Sequence, residues 1–361
     1  MRLLFILLAF IFISCSPSAK KDGSPVLGFV GFLTGSGAAY GTAQRKGIEL
    51  AMQESKTNLR LVVEDSQGKK ESAIHAVSRL INEENALIII GPTLSGEMFA
   101  AGPVANDAET PIFGTSNTAE GINDIGSYVF RNSLPESRAI PFALDAAVAK
   151  YSLKKIALMH SRNNDFAVSG YRIMKDSAIK KGLTITADES FSDGDVDYAS
   201  QVTRIIASSP DAVLISALYK EGSLALKKLR EMGYRGVVVG GNGFNHPKFF
   251  EIAQSASEGL IVATPFSPES KNEKVQAFVK KFKEKYGHDP DQFAAQAYDA
   301  THIIMEAVNK SGNNRKALRD ELASLKNYEG VSGKLSFDEK RNPVGEVVVV
   351  EAHNGKFIPL K

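Results

Sequence analysis

The chain of 361 residues has no tryptophan and a single cysteine, Cys15. One thiol excludes an intrachain disulfide and a thiolate metal site. Charge of neither sign dominates, with 43 Lys and Arg against 41 Asp and Glu. Without a basic run or interleaved aromatics, nothing marks a nucleic-acid surface. The phosphate-cradling pattern GxxxxGK(S/T) is missing, and no nucleophile stands with its base, so no ATPase site and no catalytic constellation is legible. The 30 glycines are scattered through turns. With 43% hydrophobic residues, a chain this long exceeds one ordinary core and is expected to form two domains.

What is present is organised around residues 87–118. The apolar run at 87–90 stops at Gly91-Pro92, as a buried parallel strand does on leaving its sheet. Ser95-Gly96 then opens a helix, and a short strand at 111–113 ends in Gly-Thr-Ser-Asn-Thr. Two strand ends followed by small polar residues, one of them by a helix N-terminus, suit a small anionic group. A receptor pocket fits this better than an active site.

Upstream lie a strand at 26–30, a glycine-rich turn at 31–41 and helix-spaced positions Ala43, Gly47, Ile48, Ala51 and Met52. A strand at 59–63 and a helix carrying Ala73, Ile74, Val77, Leu80 and Ile81 complete a β-α-β-α-β order. That order requires a parallel sheet with helices on both faces. A second run repeats it, with helices at 141–150, 169–181 and 223–232 and strands at 155–159, 183–187, 212–216 and 237–240; Asp197 reads as a helix N-cap. The end breaks the pattern: a strand at 260–263, helices at 274–286, 293–309 and 315–325, strands at 333–337 and 347–351, and an Asn354-Gly355 hairpin turn. The expected class is α/β, two doubly wound parallel-sheet lobes that exchange segments.

The N-terminus, with Met1-Arg2, an apolar stretch at 3–13 too short to span a bilayer, Ser14-Cys15-Ser16 and a polar segment to residue 24, resembles a bacterial lipoprotein signal. Residues 1–14 would be the signal peptide, 15–24 a tether, and Cys15 the lipidated residue that anchors an extracytoplasmic or periplasmic protein to a membrane. Phe12 stands where such signals usually have Leu; the alternative is an ordinary signal peptide with an incidental cysteine, exported either way.

The stretches GFVGFLTGSGAAYG (28–41), GPTLSGE (91–97), ETPIFGTSNTA (109–119), SYVFRNS (127–133), QAYDATHIIMEAV (296–308) and GKLSFDEKRNP (333–343) run through nearly the whole mature chain. They resemble the periplasmic binding proteins of the branched-chain amino-acid (Leu/Ile/Val) type, the substrate receptors of ABC importers. The resemblance implies the type 1 fold, two lobes joined by a hinge of three crossovers, with residues 25–130 and 264–328 in lobe one and 131–263 and 329–361 in lobe two. It implies no enzyme activity, cofactor or metal, and a monomer that captures an amino acid or related carboxylate and docks on ABC permease subunits.

By the same resemblance, Ser95, with Gly96 beside it, matches the serine and amides that hold a ligand carboxylate, while Ser116 and Thr118 match groups that bond its carboxylate and amine. Tyr40 falls where an aromatic lies over the ligand. In lobe two, Phe166 or Asp165 matches a pocket aromatic, and Tyr219 stands one residue from another. Asn242 occupies the place of a glutamate that pairs with the ligand ammonium; Asp165 or Glu221 could compensate, or the ligand lacks an amine, as the carboxylic acids bound by some members do.

Blander patterns carry less. Asp193, Asp195 and Asp197 alternate like part of a calcium loop but lack its glycine and distal glutamate. His302 and Glu306 are two ligands at most, His75 reads as solvated, and 280–285 as a charged surface face. Gly35, Gly37 and Gly41 with the Tyr171/Lys175 YxxxK spacing form a remote case for an NADP oxidoreductase, weakened because that pair lies in the second β-α-β unit of an exported chain. A sensor using the same fold remains a further alternative.

Overall fold

Every residue of strand β1 (Val26–Gly31) is buried. β1 lies between β2 (Arg60–Asp65) and β3 (Ala86–Ile90), parallel to both, in a sheet of order β2-β1-β3-β4-β5 completed by β4 (Ile112–Gly114) and β5 (Val129–Arg131). Helices α1 (Ala38–Glu54), α2 (Lys70–Asn82) and α3 (Ser95–Asp107) alternate with the strands. β3, the run Ala-Leu-Ile-Ile-Ile, is buried throughout, as a strand covered on both faces must be; the edge strand β2 is half-buried along its length. The computed structural model describes residues 23–360, so Cys15 and the expected signal peptide lie outside the described residues.

After β5 the chain crosses into a second unit. Its elements are α4 (Glu136–Tyr151), β6 (Lys155–Ser161), α5 (Asp165–Lys180), β7 (Thr184–Phe191), α6 (Ala199–Ala207), β8 (Ala212–Ser216), α7 (Tyr219–Glu231), β9 (Val237–Gly240), α8 (Pro247–Ala253) and β10 (Leu260–Thr264). The chain then returns to the first unit through α9 (Glu273–Tyr286), α10 (Gln292–Ser311) and α11 (Arg315–Ala323). Three short strands, β11 (Tyr328–Gly330), β12 (Gly333–Phe337) and β13 (Pro343–Gly345), pair antiparallel in a small sheet of their own. β14 (Val348–His353) and β15 (Lys356–Pro359) finish the second sheet, in the order β15-β14-β10-β9-β8-β6-β7. They are joined by the expected Asn354-Gly355 turn, both residues at positive φ, and β14 runs antiparallel to β10. The two-sheet α/β reading therefore stands as expected.

The small sheet packs on the first unit. The buried Asp299 carboxylate of α10 accepts the N–H groups of Val331 (2.9 Å) and Ser332 (2.8 Å), and Phe337 stacks on Phe130 of β5 with centroids 6.2 Å apart. Residue 328, the boundary drawn from the sequence, is thus the first residue of a strand that lies against lobe-one elements. Asp197 likewise stands two residues before α6 begins, accepting the Ala199 N–H at 3.0 Å rather than capping from the N-cap position, which Tyr198 holds.

α10 also seals the first unit from below by lying directly on α1. A Cβ built at Gly47 would sit 2.2 Å from the Ala294 carbonyl oxygen, so the two helix backbones approach as only glycine allows. Gly47→Ala forces these backbones apart and is expected to destabilise the protein by about 1–3 kcal/mol, despite alanine's better helix propensity. Thermal denaturation followed by circular dichroism reads this directly; an unchanged or raised midpoint refutes the contact.

Candidate functional site

The site residues gather at the C-terminal ends of the parallel strands, where open α/β sheets place their ligands. β3 is followed by Gly91, whose φ of +97° and whose 2.2 Å approach of a built Cβ to the Val30 carbonyl oxygen both demand glycine. A cis Gly91-Pro92 bond follows, and three residues on the chain enters α3. The N-cap of α3 is Leu94, not Ser95: Ser95 is the first helical residue, and its Oγ accepts the Ala119 N–H at 3.3 Å. A leucine cannot accept from the first turn, so the amides of Ser95 and Gly96 lack both an intrahelical and a cap acceptor. Glu97 accepts the Leu94 N–H at 2.8 Å; burial pushes its carboxyl up to about 7.

The loop after β4 is locked under this helix end. Ser116 Oγ donates to the Thr93 carbonyl (2.5 Å) and accepts from Gln44 Nε2 (2.9 Å), and Asn117 Nδ2 donates to the Pro92 carbonyl (3.0 Å). Arg131, fully buried on β5, donates from Nη1 to the carbonyls of Asn117 (2.7 Å) and Ala119 (2.6 Å). Burial lowers the Arg131 pKa to about 10, which leaves it charged. Thr118 Oγ1 donates to Glu136 Oε1 at 3.1 Å. Glu136 opens α4 and is itself buried, and the loss of hydration drives its carboxyl up to about 7.

The second unit presents a matching face. The N-cap of α7 is again a leucine, Leu218, so Tyr219 is the first helical residue, four earlier than the sequence suggested. Two helix N-termini without side-chain caps, α3 and α7, open on one small cavity of about 20 Å³ between the units. Tyr40, Ser95, Ser116, Phe166 and Asn242 line it, joined by Thr93, Leu94, Leu218, Gly243 and Phe293. Such a volume holds about one water, so the two faces are pressed together.

Contacts across the crevice hold that closed arrangement. Tyr40 Oη donates to the Gly243 carbonyl (2.6 Å) and accepts the Tyr219 N–H (2.7 Å), while Tyr219 Oη donates to the Ser36 carbonyl (2.5 Å). Gln292 Nε2 reaches Asn242 Oδ1 at 2.5 Å, and Gln292 Oε1 accepts from Asn245 Nδ2 at 2.9 Å. His246 faces Asp291 at 3.2 Å; its Nδ1 accepts the Lys248 N–H, which assigns the remaining proton to Nε2, and burial lowers its pKa.

Three expected residues flank the cavity without lining it. Gly96 lies under the Lys70–Asp165 ion pair (2.6 Å), Thr118 is turned to Glu136, and Tyr219 packs edge-on against Tyr40 at 4.9 Å. Phe166 enters the wall; Asp165 stays at the rim with Lys70. Glu221 is buried in the first turn of α7 and accepts the Gly194 N–H at 3.4 Å. Gln44, Gln292 and Glu136 were not foreseen, since each acts through partners distant in sequence. Tyr171 and Lys175 both engage Asp188, at 2.7 and 2.8 Å, beside the edge strand β7. A larger cavity of about 790 Å³ lies among α9, α10, α11 and β11, away from the strand ends. Among the described residues, no helix is long and apolar enough to cross a membrane, and no group of three or more His, Cys, Asp or Glu could hold a metal ion.

Known proteins resemble this chain over most of its length. A leucine-, isoleucine-, valine-, threonine- and alanine-binding protein of Pseudomonas aeruginosa is 24% identical over 327 residues, covering 87% of this chain and 86% of the relative. The branched-chain amino-acid transporter substrate-binding protein LivJ of Streptococcus pneumoniae, solved with isoleucine, superposes with a TM-score of 0.87 at 28% identity over 92% of this chain and 97% of its own. A solute-binding protein of an ABC transporter from R. palustris, solved with benzoate, shares the fold with a TM-score of 0.86 at 23% identity, over 94% of this chain and 96% of its own. The family model for periplasmic binding proteins matches residues 26–356, and the chain belongs to that family.

Proposed function

We propose that the protein is an extracytoplasmic receptor of an ABC importer that captures an amino acid or related small carboxylate between two hinged lobes, acting as a monomer. One observation carries this reading: the N-termini of α3 and α7, from opposite units and each with a leucine at its N-cap, meet at one crevice, where the Tyr219 N–H is held by Tyr40 Oη in this closed form. First-turn amides and the helix dipole favour an anion there, and a carboxylate is the anion that the bound ligands named for the relatives have in common. Ser95, Gly96, Ser116 and Thr118 would hold it from lobe one, and Tyr40, Phe166, Tyr219 and Asn242 would close over the remainder.

Lobe one would take residues 25–130 and 264 onward. The packing of β11–β13 on β5 and α10 favours extending it to residue 345, with β14 and β15 returned to lobe two. Opening about the crossovers would separate the Tyr40–Gly243 and Gln292–Asn242 contacts, and ligand would replace them on closure. Removal of residues 1–14 and lipidation of Cys15 would tether the receptor beside its permease.

Ser95→Ala tests the anion site. Loss of a hydrogen bond to a charged carboxylate is expected to weaken binding about 10- to 100-fold with little change in fold. Calorimetric titration with leucine, isoleucine and benzoate measures it. Binding of none of the amino acids or small carboxylates to the wild type, or unchanged affinity in Ser95→Ala, overturns the reading.

A further inference from the structure

We propose that Glu136 holds a cationic nitrogen of the ligand, so that the solute is a zwitterion, an amino acid, rather than an amine-free acid. The inference rests on the receptor reading above and specifies its ligand.

Glu136 lies where the chain crosses from β5 to α4, at the seam of the two units. It is 1% exposed, and its Oε2 is a buried acceptor without a hydrogen-bond partner. Its other oxygen accepts from Thr118 of the first unit at 3.1 Å, and the backbone N–H of Asn242 of the second unit also favours its charged form. A Cβ built at Gly241 would lie 3.8 Å from Glu136 Oε1 and 3.8 Å from Phe166 Cζ, so a single glycine separates this carboxylate from a ring that lines the cavity.

Among the described residues, no cation pairs with Glu136 Oε2. Arg131 is the nearest buried one, and its Nη1 is engaged by the Asn117 and Ala119 carbonyls and its Nη2 by Asn342 Oδ1 (3.2 Å). The rival acids are otherwise engaged: Asp165 with Lys70 at the rim, and Glu221, in the first turn of α7, with the Gly194 N–H. Asn242 gives its side-chain oxygen to Gln292. A buried carboxylate left unpaired is costly, and the burial that drives the Glu136 carboxyl up to about 7 reflects that cost. An ammonium would relieve it. With the ligand carboxylate at the α3 N-terminus, an amine would be directed to the seam, where Glu136 lies behind Gly241 and the Phe166 ring that lines the cavity.

The test titrates the standard amino acids, each paired with the same acid lacking its amine, into wild type and Glu136→Gln. Expected is a wild type that prefers at least one amino acid to its amine-free partner. Glu136→Gln would then lose about 30-fold or more in affinity for the amino acid, and only a few-fold for the partner acid. Equal affinity of the two proteins for the amino acid overturns the inference. So does a wild type that binds amine-free acids alone, although the receptor reading survives that result. Binding of neither class sinks both.

If Glu136→Gln fails to fold, the wild type still decides the matter. At pH 7, calorimetry in buffers of different ionisation enthalpy should show proton release when the amino acid binds, in excess of that for the amine-free acid. Arg131 and Glu120 are the charged groups facing Glu136, and Glu97 stands at the start of α3; each meets both ligands alike, so the difference isolates the ammonium contact. Equal proton release for the two ligands refutes it.

Discussion

Arg131→Met is expected to lower the melting temperature by roughly 5–15 °C and to weaken ligand binding together with it. The guanidinium is fully buried and ties the carbonyls of Asn117 and Ala119 to β5, fixing the loop that carries Ser116 and Thr118. Methionine matches much of its volume but leaves both carbonyls without a donor, at about 1–3 kcal/mol each. Glu136 would also lose the buried positive charge nearest to it, and its carboxyl would move up further. Arg131→Lys keeps the charge without the planar fork, so it should fall between. Thermal denaturation and leucine titration of the three proteins check this. A methionine variant that melts within about 2 °C of wild type shows that the loop is held by other contacts.

That loop shows what the sequence could and could not disclose. β1, β3 and β8 are continuous apolar runs, which a strand buried on both faces requires, and their positions are legible to within a residue or two. That Ser95 and Ser116 line the cavity was legible, because small polar residues after a buried strand stand at the strand ends. The start of α7 was not: its N-cap is leucine, so the usual capping signal is missing and the helix reads as beginning only at Ser223. The same missing cap leaves the Tyr219 N–H to the Tyr40 hydroxyl of the other unit. β11 and β13 have three residues each, too short to show a period.

Glu136 was hidden for a different reason. After Pro135 it looks like an ordinary acidic first-turn residue, favoured by the helix dipole. Its partners are not local: Thr118 lies 18 residues before it and Asn242 far after it, in the other unit. Tyr40 and Gly243 are likewise 203 residues apart. A single sequence records helix and strand periods well, because they are local. It does not record which side chains meet when two units close, and that meeting makes the site.

Buried carboxyls make the ligand-free protein sensitive to alkali. Glu97 and Glu136 titrate near 4.5 in an unfolded chain and near 7 in the fold. Between those values the folded state holds more protons than the unfolded state. The stabilisation is therefore complete below about 4.5 and is lost as pH rises through about 7. One fully buried carboxyl shifted this far contributes up to about 3 kcal/mol. Asp65 and Asp211, shifted down by their hydrogen bonds, act in the opposite sense, but lower on the scale, as pH falls below about 4. His246, lowered by burial, opposes the trend near neutrality, so the whole-protein slope is a mixture and the variant difference is the clean quantity. Between pH 5.5 and 7.5 the stability of the wild type should fall more steeply than that of Glu136→Gln, by about 2 kcal/mol over the range. Denaturant titrations at three or four pH values measure both slopes; coincident slopes show that the folded protein does not hold the Glu136 proton. Saturating amino acid should erase the Glu136 part of the difference, because an ammonium at Oε2 makes the charged carboxylate the favoured form and carries the pKa back down.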